Sequence, residues 1–341
     1  MTIRVLIVDD SATMRAILMS RLRQQPDIEV VGAASNAAEG RAMIKSLDPD
    51  VVTLDIEMPG MNGLDFLEKI MTLRPTPVII VSGATREGNE VTARALALGA
   101  VDCYSKYDPS GKLAFEDSGR LAGMIRQAAQ ISYEKPGKPA SVTPAAGSKA
   151  IRRDARLIAV GSSTGGVEAL QVLLRDFPED CPPTVIVQHV NPRFAPAIAR
   201  TLDQVCPAKV GVAVHDMPLR QGHVYLAAEG DHHLLVKGTD VLYAKLRKGE
   251  PISGHVPSVD ALFHSVAQYV GAEAVGILLT GMGQDGAKGL LAMSQAGAHT
   301  VVQDESTCIV FGMPRAAISL GAARVVAPIN RIAHHALSMA A

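Results

Sequence analysis

Gly161-Ser162-Ser163-Thr164-Gly165-Gly166 is the stretch on which the larger half of this chain turns. It follows a short apolar run, Leu157 to Val160, of the length and character of a buried strand. Val167, Leu170, Leu173 and Leu174 come next, spaced as the inner face of a helix. The stretch is therefore predicted to be a tight strand-to-helix turn. Its glycines permit backbone angles and close approaches that other residues resist. A hydroxyl held there lies beside the free N–H groups of a helix start, where negative charge is favoured. Two readings follow, a phosphate cradle of the dinucleotide type or a seat for a nucleophilic serine. The cradle requires an acidic residue at the end of the next strand to hold a ribose. That strand, Thr184 to Gln188, ends instead in His189, a base suited to Ser163. Ser162 remains the rival nucleophile.

Further along, an apolar run from Ala274 to Thr280 ends in Gly281-Met282-Gly283-Gln284-Asp285-Gly286, and a helical pattern through Leu290, Leu291 and Met293 follows. Ser163, His189 and Asp285 thus fall just beyond the carboxyl ends of predicted parallel strands, where the groups of an open α/β sheet converge. In acyl transfer, Ser163 attacks a carbonyl carbon, His189 takes its proton, and Asp285 fixes the imidazole tautomer. Backbone N–H groups of the glycine-rich turns supply an oxyanion site. Asp285 has an alternative use as a helix cap. The adjacent His232 and His233, on a strand, point to opposite faces and read as structural. His255, ahead of a helix, and the loop Cys308 to Pro314 either border a substrate or are packed connections.

Residues 3 to about 130 alternate β-type runs (Ile3–Val8, Glu29–Gly32, Val51–Leu54, Val78–Val81, Val101–Tyr104) with helical patterns. This predicts a second parallel sheet covered on both faces. At its strand ends stand Asp9 and Asp10, Asp55, Ser82 and Lys106. Three converging carboxylates repel one another unless a hard cation joins them, and Mg²⁺ prefers a few carboxylates with water and phosphate oxygens. Asp55 is then a candidate phosphoryl acceptor, with Ser82 and Lys106 on the phosphoryl oxygens.

Between Ser132 and Asp154 periodicity gives way to prolines, glycines and small residues, the composition of an exposed linker. The expected organisation is a domain over 1–131, a linker over 132–153 and a second domain over 154–341. Both domains are expected to be α/β and doubly wound, the first flavodoxin-like and the second Rossmann-like. Charged residues make up 20% of the chain at a net charge of −1, so no basic field argues for nucleic acid. No apolar run approaches membrane-spanning length, the N-terminus lacks a signal-peptide core, and the four cysteines have no metal spacing. A cytoplasmic protein, without membrane insertion, is expected.

The first half resembles the receiver domain of response regulators in Asp9-Asp10, Leu54 to Pro59, Gly63, Val81-Ser82 and Lys106. The resemblance implies phosphorylation at Asp55, with Mg²⁺ held by Asp9, Asp10, Asp55 and a carbonyl near Glu57. The chain departs from the family pattern with Cys103 for an aromatic residue and Tyr107 for a proline; the bond before Tyr107 is expected to be trans or strained. The second half resembles the catalytic domain of the chemotaxis methylesterase family, CheB. The matching segments are Ile158 to Gly166, Gln188-His189, His255 with Pro257 to Ala267, Leu279 to Ala287, and Phe311 to Pro314. This second resemblance implies that Ser163, His189 and Asp285 form the triad. Thr164 and Met282 would line the site, with the Met282 backbone a candidate oxyanion donor, and no cofactor would be needed there. It also implies methyl-accepting chemoreceptors as substrates, their glutamate methyl esters hydrolysed and selected glutamines deamidated. A chemotaxis histidine kinase would be the phosphodonor. The alternatives are a receiver fused to a catalytically inactive docking module and a nucleotide-binding output domain.

Overall fold

In the first unit, five apolar runs form one parallel sheet: β1 (Ile3–Val8), β2 (Ile28–Ala34), β3 (Val51–Asp55), β4 (Val78–Ser82) and β5 (Asp102–Ser105). Their order is β2-β1-β3-β4-β5, the flavodoxin-like winding expected. The computed structural model describes residues 2–58, 63–83, 86–106, 119–131 and 155–338. Tyr107 and the expected linker lie outside the described residues. The chain divides into two units, Met1–Lys138 and Pro139–Ala341. Helices α1 (Ala12–Leu22), α2 (Ala37–Leu47), α3 (Gly63–Leu73), α4 (Arg86–Ala97) and α5 (Arg120–Ala128) alternate with the strands of the first unit. The strands β3 and β4 are buried along their whole length, which explains why they read as unbroken apolar runs.

The second unit begins with β6 (Leu157–Ser162), α6 (Gly166–Arg175), β7 (Thr184–Gln188) and α7 (Ala195–Asp203). Five short strands follow: β8 (Lys209–Val212), β9 (Met217–Pro218), β10 (His223–Leu226), β11 (His232–Lys237) and β12 (Tyr243–Lys248). The chain then alternates again through α8 (Val259–Tyr269), β13 (Ala274–Leu278), α9 (Ala287–Gln295), β14 (His299–Gln303), α10 (Met313–Ser319), β15 (Val325–Ala327) and α11 (Ile329–Leu337). Seven strands make a parallel sheet in the order β15-β14-β13-β6-β7-β10-β8. The chain enters at β6, moves outward through β7, and later returns to the other side of β6 with β13. This reversal between β6 and β13 creates a crevice at the carboxyl ends of the strands, where such sheets place their sites.

One element has no counterpart in the expected alternation. β11, β12 and β9 form a separate antiparallel sheet, with His232 opposite Lys248 and His233 opposite Arg247. Successive strand residues face opposite ways, so His233 is buried while His232 is half-buried. Val236 and Leu234 of β11 join the core beneath α8, among Val259, Leu262, Phe263 and Val266. The small sheet thereby braces the start of α8, which matters for the site.

Candidate active site and phosphoryl-acceptor site

The turn after β6 separates the two candidate serines. Ser162 is the last residue of β6, paired in register with Gln188 of β7, and is 0% exposed. Its hydroxyl donates to Gln188 Oε1 at 2.6 Å. Gln188 Nε2 donates to the carbonyls of Ser163 (2.8 Å) and His189 (2.9 Å), so this one amide joins the two strand ends. Ser163 lies one residue further on and is only half-buried. Its own N–H is engaged by the Thr280 carbonyl at 3.0 Å. Gly165, at φ +73°, closes the turn, and a Cβ there would meet Ile309 at 2.6 Å. At Gly166 a Cβ would fall 2.0 Å from Gln188 Oε1, so the close approach of helix and glutamine requires glycine.

His189 and Asp285 meet. Asp285 Oδ2 lies 2.9 Å from His189 Nε2. The same carboxylate accepts from Ser258 Oγ (2.8 Å), Val259 N (2.8 Å) and Asp260 N (3.0 Å). Asp285 therefore does cap a helix, as well as holding the imidazole, but the helix is α8 and not the one that follows it. Burial acts to raise its pKa; the hydrogen bonds from His189, Asp260 and Ser258 outweigh this and hold the carboxyl below its ordinary value. An ionised carboxylate only accepts, so the proton of the neutral ring sits on Nε2. The basic nitrogen is then Nδ1, which is buried and has no hydrogen-bond partner among the described residues. In the serine-protease template it is Nδ1 that faces the aspartate, and here it is Nε2.

The loop Cys308 to Pro314 packs against the Asp285 loop. Gly281 N donates to Val310 O at 3.0 Å, and Met313 N to Gly281 O at 2.8 Å. Thr280 Oγ1 donates to the carbonyl of Thr164 at 3.0 Å, binding this loop to the serine turn. Thr164 is buried and Met282 half-buried. Neither of their amides takes part in a hydrogen bond among the described residues. His255 stacks on His189, with ring centroids 3.7 Å apart and planes 7° from parallel. The sequence leaves His255 open and gives no function to Gln188 or Ser258. The position of Ser258 as N-cap of a predicted helix was the only available signal for it.

In the first unit, Asp9 and Asp55 are buried at the ends of β1 and β3, while Asp10 is exposed. Oxygens of the three carboxylates lie within 4.8 Å of one another, forming an acidic pocket of the kind typical of Mg²⁺ sites. Lys106 Nζ sits 2.5 Å from Asp55 Oδ2 and 3.1 Å from Asp9 Oδ2. Burial raises the Asp9 pKa, Lys106 opposes this and Asp55 adds to it. Asp9 Oδ2 is nevertheless a buried acceptor without a well-formed hydrogen bond, which fits a cation ligand. Burial alone would lower the Lys106 pKa, but the two aspartates prevail and raise it. Ser82 is buried, and its hydroxyl accepts from Thr92 Oγ1 at 2.8 Å, a partner that sequence reading missed. Cys103 is buried in β5, its thiol pKa pushed up by burial, with Asp102 adding to the effect. The neighbouring Tyr104 hydroxyl accepts from Arg21 Nη1 at 2.7 Å.

Fold and sites together define a class: a flavodoxin-like acidic-pocket unit joined to a parallel-sheet unit with a serine, histidine and aspartate at its switch point. Residues 158–336 match the model of the CheB methylesterase family, and residues 5–114 that of the response regulator receiver domain. The chain is 49% identical over 339 residues to "Protein-glutamate methylesterase/protein-glutamine glutaminase 1" of Caulobacter vibrioides, covering 99% of this chain and 98% of that one. A protein of the same name from Rhizobium johnstonii is 48% identical over 338 residues, covering 99% and 96%. Among solved structures, the CheB methylesterase catalytic domain of Thermotoga maritima superposes with a TM-score of 0.53 at 32% identity. That match covers 55% of this chain and 99% of the solved one. The chain belongs to the CheB methylesterase family and carries its receiver domain at the N-terminal side. Among the described residues no helix is long and apolar enough to cross a membrane.

Proposed function

We propose that this chain is a receiver-regulated protein-glutamate methylesterase and protein-glutamine glutaminase acting on chemoreceptors in chemotaxis adaptation, with Ser163, His189 and Asp285 as its catalytic residues. The observation that carries the assignment is the pairing of His189 with Asp285 beside a turn that seals Ser162 and leaves Ser163 accessible. Ser163 Oγ attacks the side-chain carbonyl carbon of a glutamate methyl ester while its proton passes to His189 Nδ1. Asp285 stabilises the resulting imidazolium through Nε2–H. The tetrahedral oxyanion takes the unengaged amides of Thr164 and Met282. Collapse expels methanol, which takes the proton from His189. Water then attacks the acyl-serine with His189 again as base, releasing glutamate and restoring Ser163. With glutamine the first leaving group is ammonia.

In the domain over 1–131, the Asp55 carboxylate attacks the phosphorus of a phosphohistidine, for which a chemotaxis histidine kinase is the natural source; the O–P bond forms as the P–N bond breaks and the donor's imidazole leaves. Asp9, Asp10 and Asp55, with a carbonyl near Glu57, would hold Mg²⁺. The ion would neutralise charge on the transferring phosphoryl group. Lys106, which sits on Asp55, and the Ser82 hydroxyl, which accepts from Thr92, would hold the phosphoryl oxygens. The domain over 154–341 is the hydrolase, and 132–153 the linker. The test is methanol release from methylated receptor membranes, with Ser163→Ala as control. The expected result is release by the wild type and none by the variant. Undiminished release by Ser163→Ala would overturn the assignment.

A further inference from the structure

Among the described residues His255 is the one ring that touches the catalytic imidazole, and its placement is built rather than incidental. It closes a two-residue turn in which Ser253 and Gly254 have φ of +52° and +84°. Reciprocal hydrogen bonds join Ile252 and His255, N to O at 3.1 Å and 3.0 Å. Ser253 Oγ ties the turn to Asp260 Oδ2 at 3.1 Å, on the first turn of α8. His233 anchors both flanks of the turn: its Nδ1 accepts from Ser258 N at 3.2 Å and its Nε2 lies 3.0 Å from the Glu250 carbonyl. The residue read from sequence as structural is thus the support beneath the stack.

We infer that His255 is a positioning residue for His189: a neutral imidazole plate that fixes the plane of the catalytic ring, keeping Nε2 on Asp285 and Nδ1 free to act as base. The inference rests on the methylesterase reading above. Stacking constrains the ring where hydrogen bonding does not. Nε2 is tied to Asp285, but a single hydrogen bond leaves rotation about its axis open, and among the described residues Nδ1 has no partner to prevent it. A face-to-face contact at 3.7 Å and 7° removes that freedom. The plate must also be uncharged, since the reaction places a positive charge on His189. Burial, with the charge of His189 second, holds the His255 pKa down at about 4, and Asp285 opposes only in part. The ionisable groups facing the pair are Asp285 from the loop before α9 and the two rings themselves; Asp260 and His233 hold the backbone around them.

The experiment compares wild type, His255→Ala and His255→Phe in the full-length chain by two readouts. Imidazole ¹⁵N spectra at pH 7 report the His189 tautomer, and methanol release from methylated receptor membranes reports kcat and KM. The wild type and the Phe variant should each show one Nε2–H tautomer of His189, and the Ala variant should show averaging between tautomers. A stacked ring pair is worth enough that kcat should fall roughly three- to tenfold in His255→Ala with KM nearly unchanged, and recover to within about twofold in His255→Phe. A single tautomer retained in His255→Ala overturns the inference whatever the turnover. So does a Phe variant as slow as Ala with a raised KM, since that would make His255 a substrate ligand through its ring nitrogens. Absence of methanol release in the wild type would defeat the functional reading, while the spectra would still decide the positioning role.

Discussion

Replacing Asp285 by asparagine should weaken the fold as well as the chemistry. The carboxylate is 1% exposed and accepts four hydrogen bonds, three of them from the start of α8. An amide accepts through one oxygen only. On the Oδ2 side a nitrogen would oppose the N–H groups of both Val259 and His189. On the Oδ1 side the Ser258 hydroxyl can reverse to accept, and only the Asp260 N–H is left without a partner. The second orientation is the cheaper, and an unsatisfied buried donor costs about 1–3 kcal/mol. Loss of the negative charge at the α8 N-terminus adds about 0.3–1 kcal/mol. Asp285→Asn should therefore be destabilised by roughly 1–4 kcal/mol and lose turnover, by up to about 10⁴-fold, because a neutral amide still accepts from Nε2–H but no longer stabilises the imidazolium that forms on His189. Urea unfolding followed by circular dichroism, with amide exchange at Val259 and Asp260, measures the first part. The folded carboxyl has a pKa below its unfolded value, so its stabilisation is full above the unfolded value and lost as pH falls through the folded one. The gap between wild type and variant should accordingly narrow on acidification. A variant with lost turnover but unchanged unfolding and exchange would refute the reasoning and leave Asp285 with the histidine alone.

Three further outcomes follow from named contacts. Ser162→Ala should keep measurable methanol release but lose roughly 1–3 kcal/mol of stability, because Gln188 Oε1 loses its 2.6 Å donor in a buried site; abolished turnover in a folded variant would return Ser162 to candidacy. Gly166→Ala should be destabilised by at least ~1–3 kcal/mol, since the added methyl falls 2.0 Å from Gln188 Oε1, and an unchanged melting temperature would contradict the close approach. Asp55→Asn should abolish stimulation by a small phosphodonor and leave unstimulated esterase activity intact, the amide being a poor nucleophile; full stimulation would mean that another residue accepts the phosphoryl group.

Much of this molecule was legible along the chain. Strands buried on both faces announce themselves as apolar runs, so β3, β4, β6 and β7 were placed to within a residue or two, and β7 at both ends. Parallel sheets gather functional groups beyond their carboxyl ends, so the pair Ser162-Ser163, His189, Asp285 and the acidic pocket stand out as candidates from strand ends alone. The order of strands, and hence the switch point between β6 and β13, is a matter of long-range pairing that local pattern does not carry. The same holds for the antiparallel sheet that braces α8, whose strands are short and only partly apolar. Ser162 and Ser163 are neighbours of identical chemistry, and only the register of β6 against β7 puts one hydroxyl under Gln188 and leaves the other accessible. For Asp285 the sequence offers a helix cap without saying which helix, and tertiary packing brings it to the start of α8, 25 to 27 residues earlier. The stack of His255 on His189 joins residues from separate segments through ring faces, a contact with no periodicity and no spacing rule. Periodicity encodes which face of an element is buried; which polar groups then meet is decided only when the elements pack.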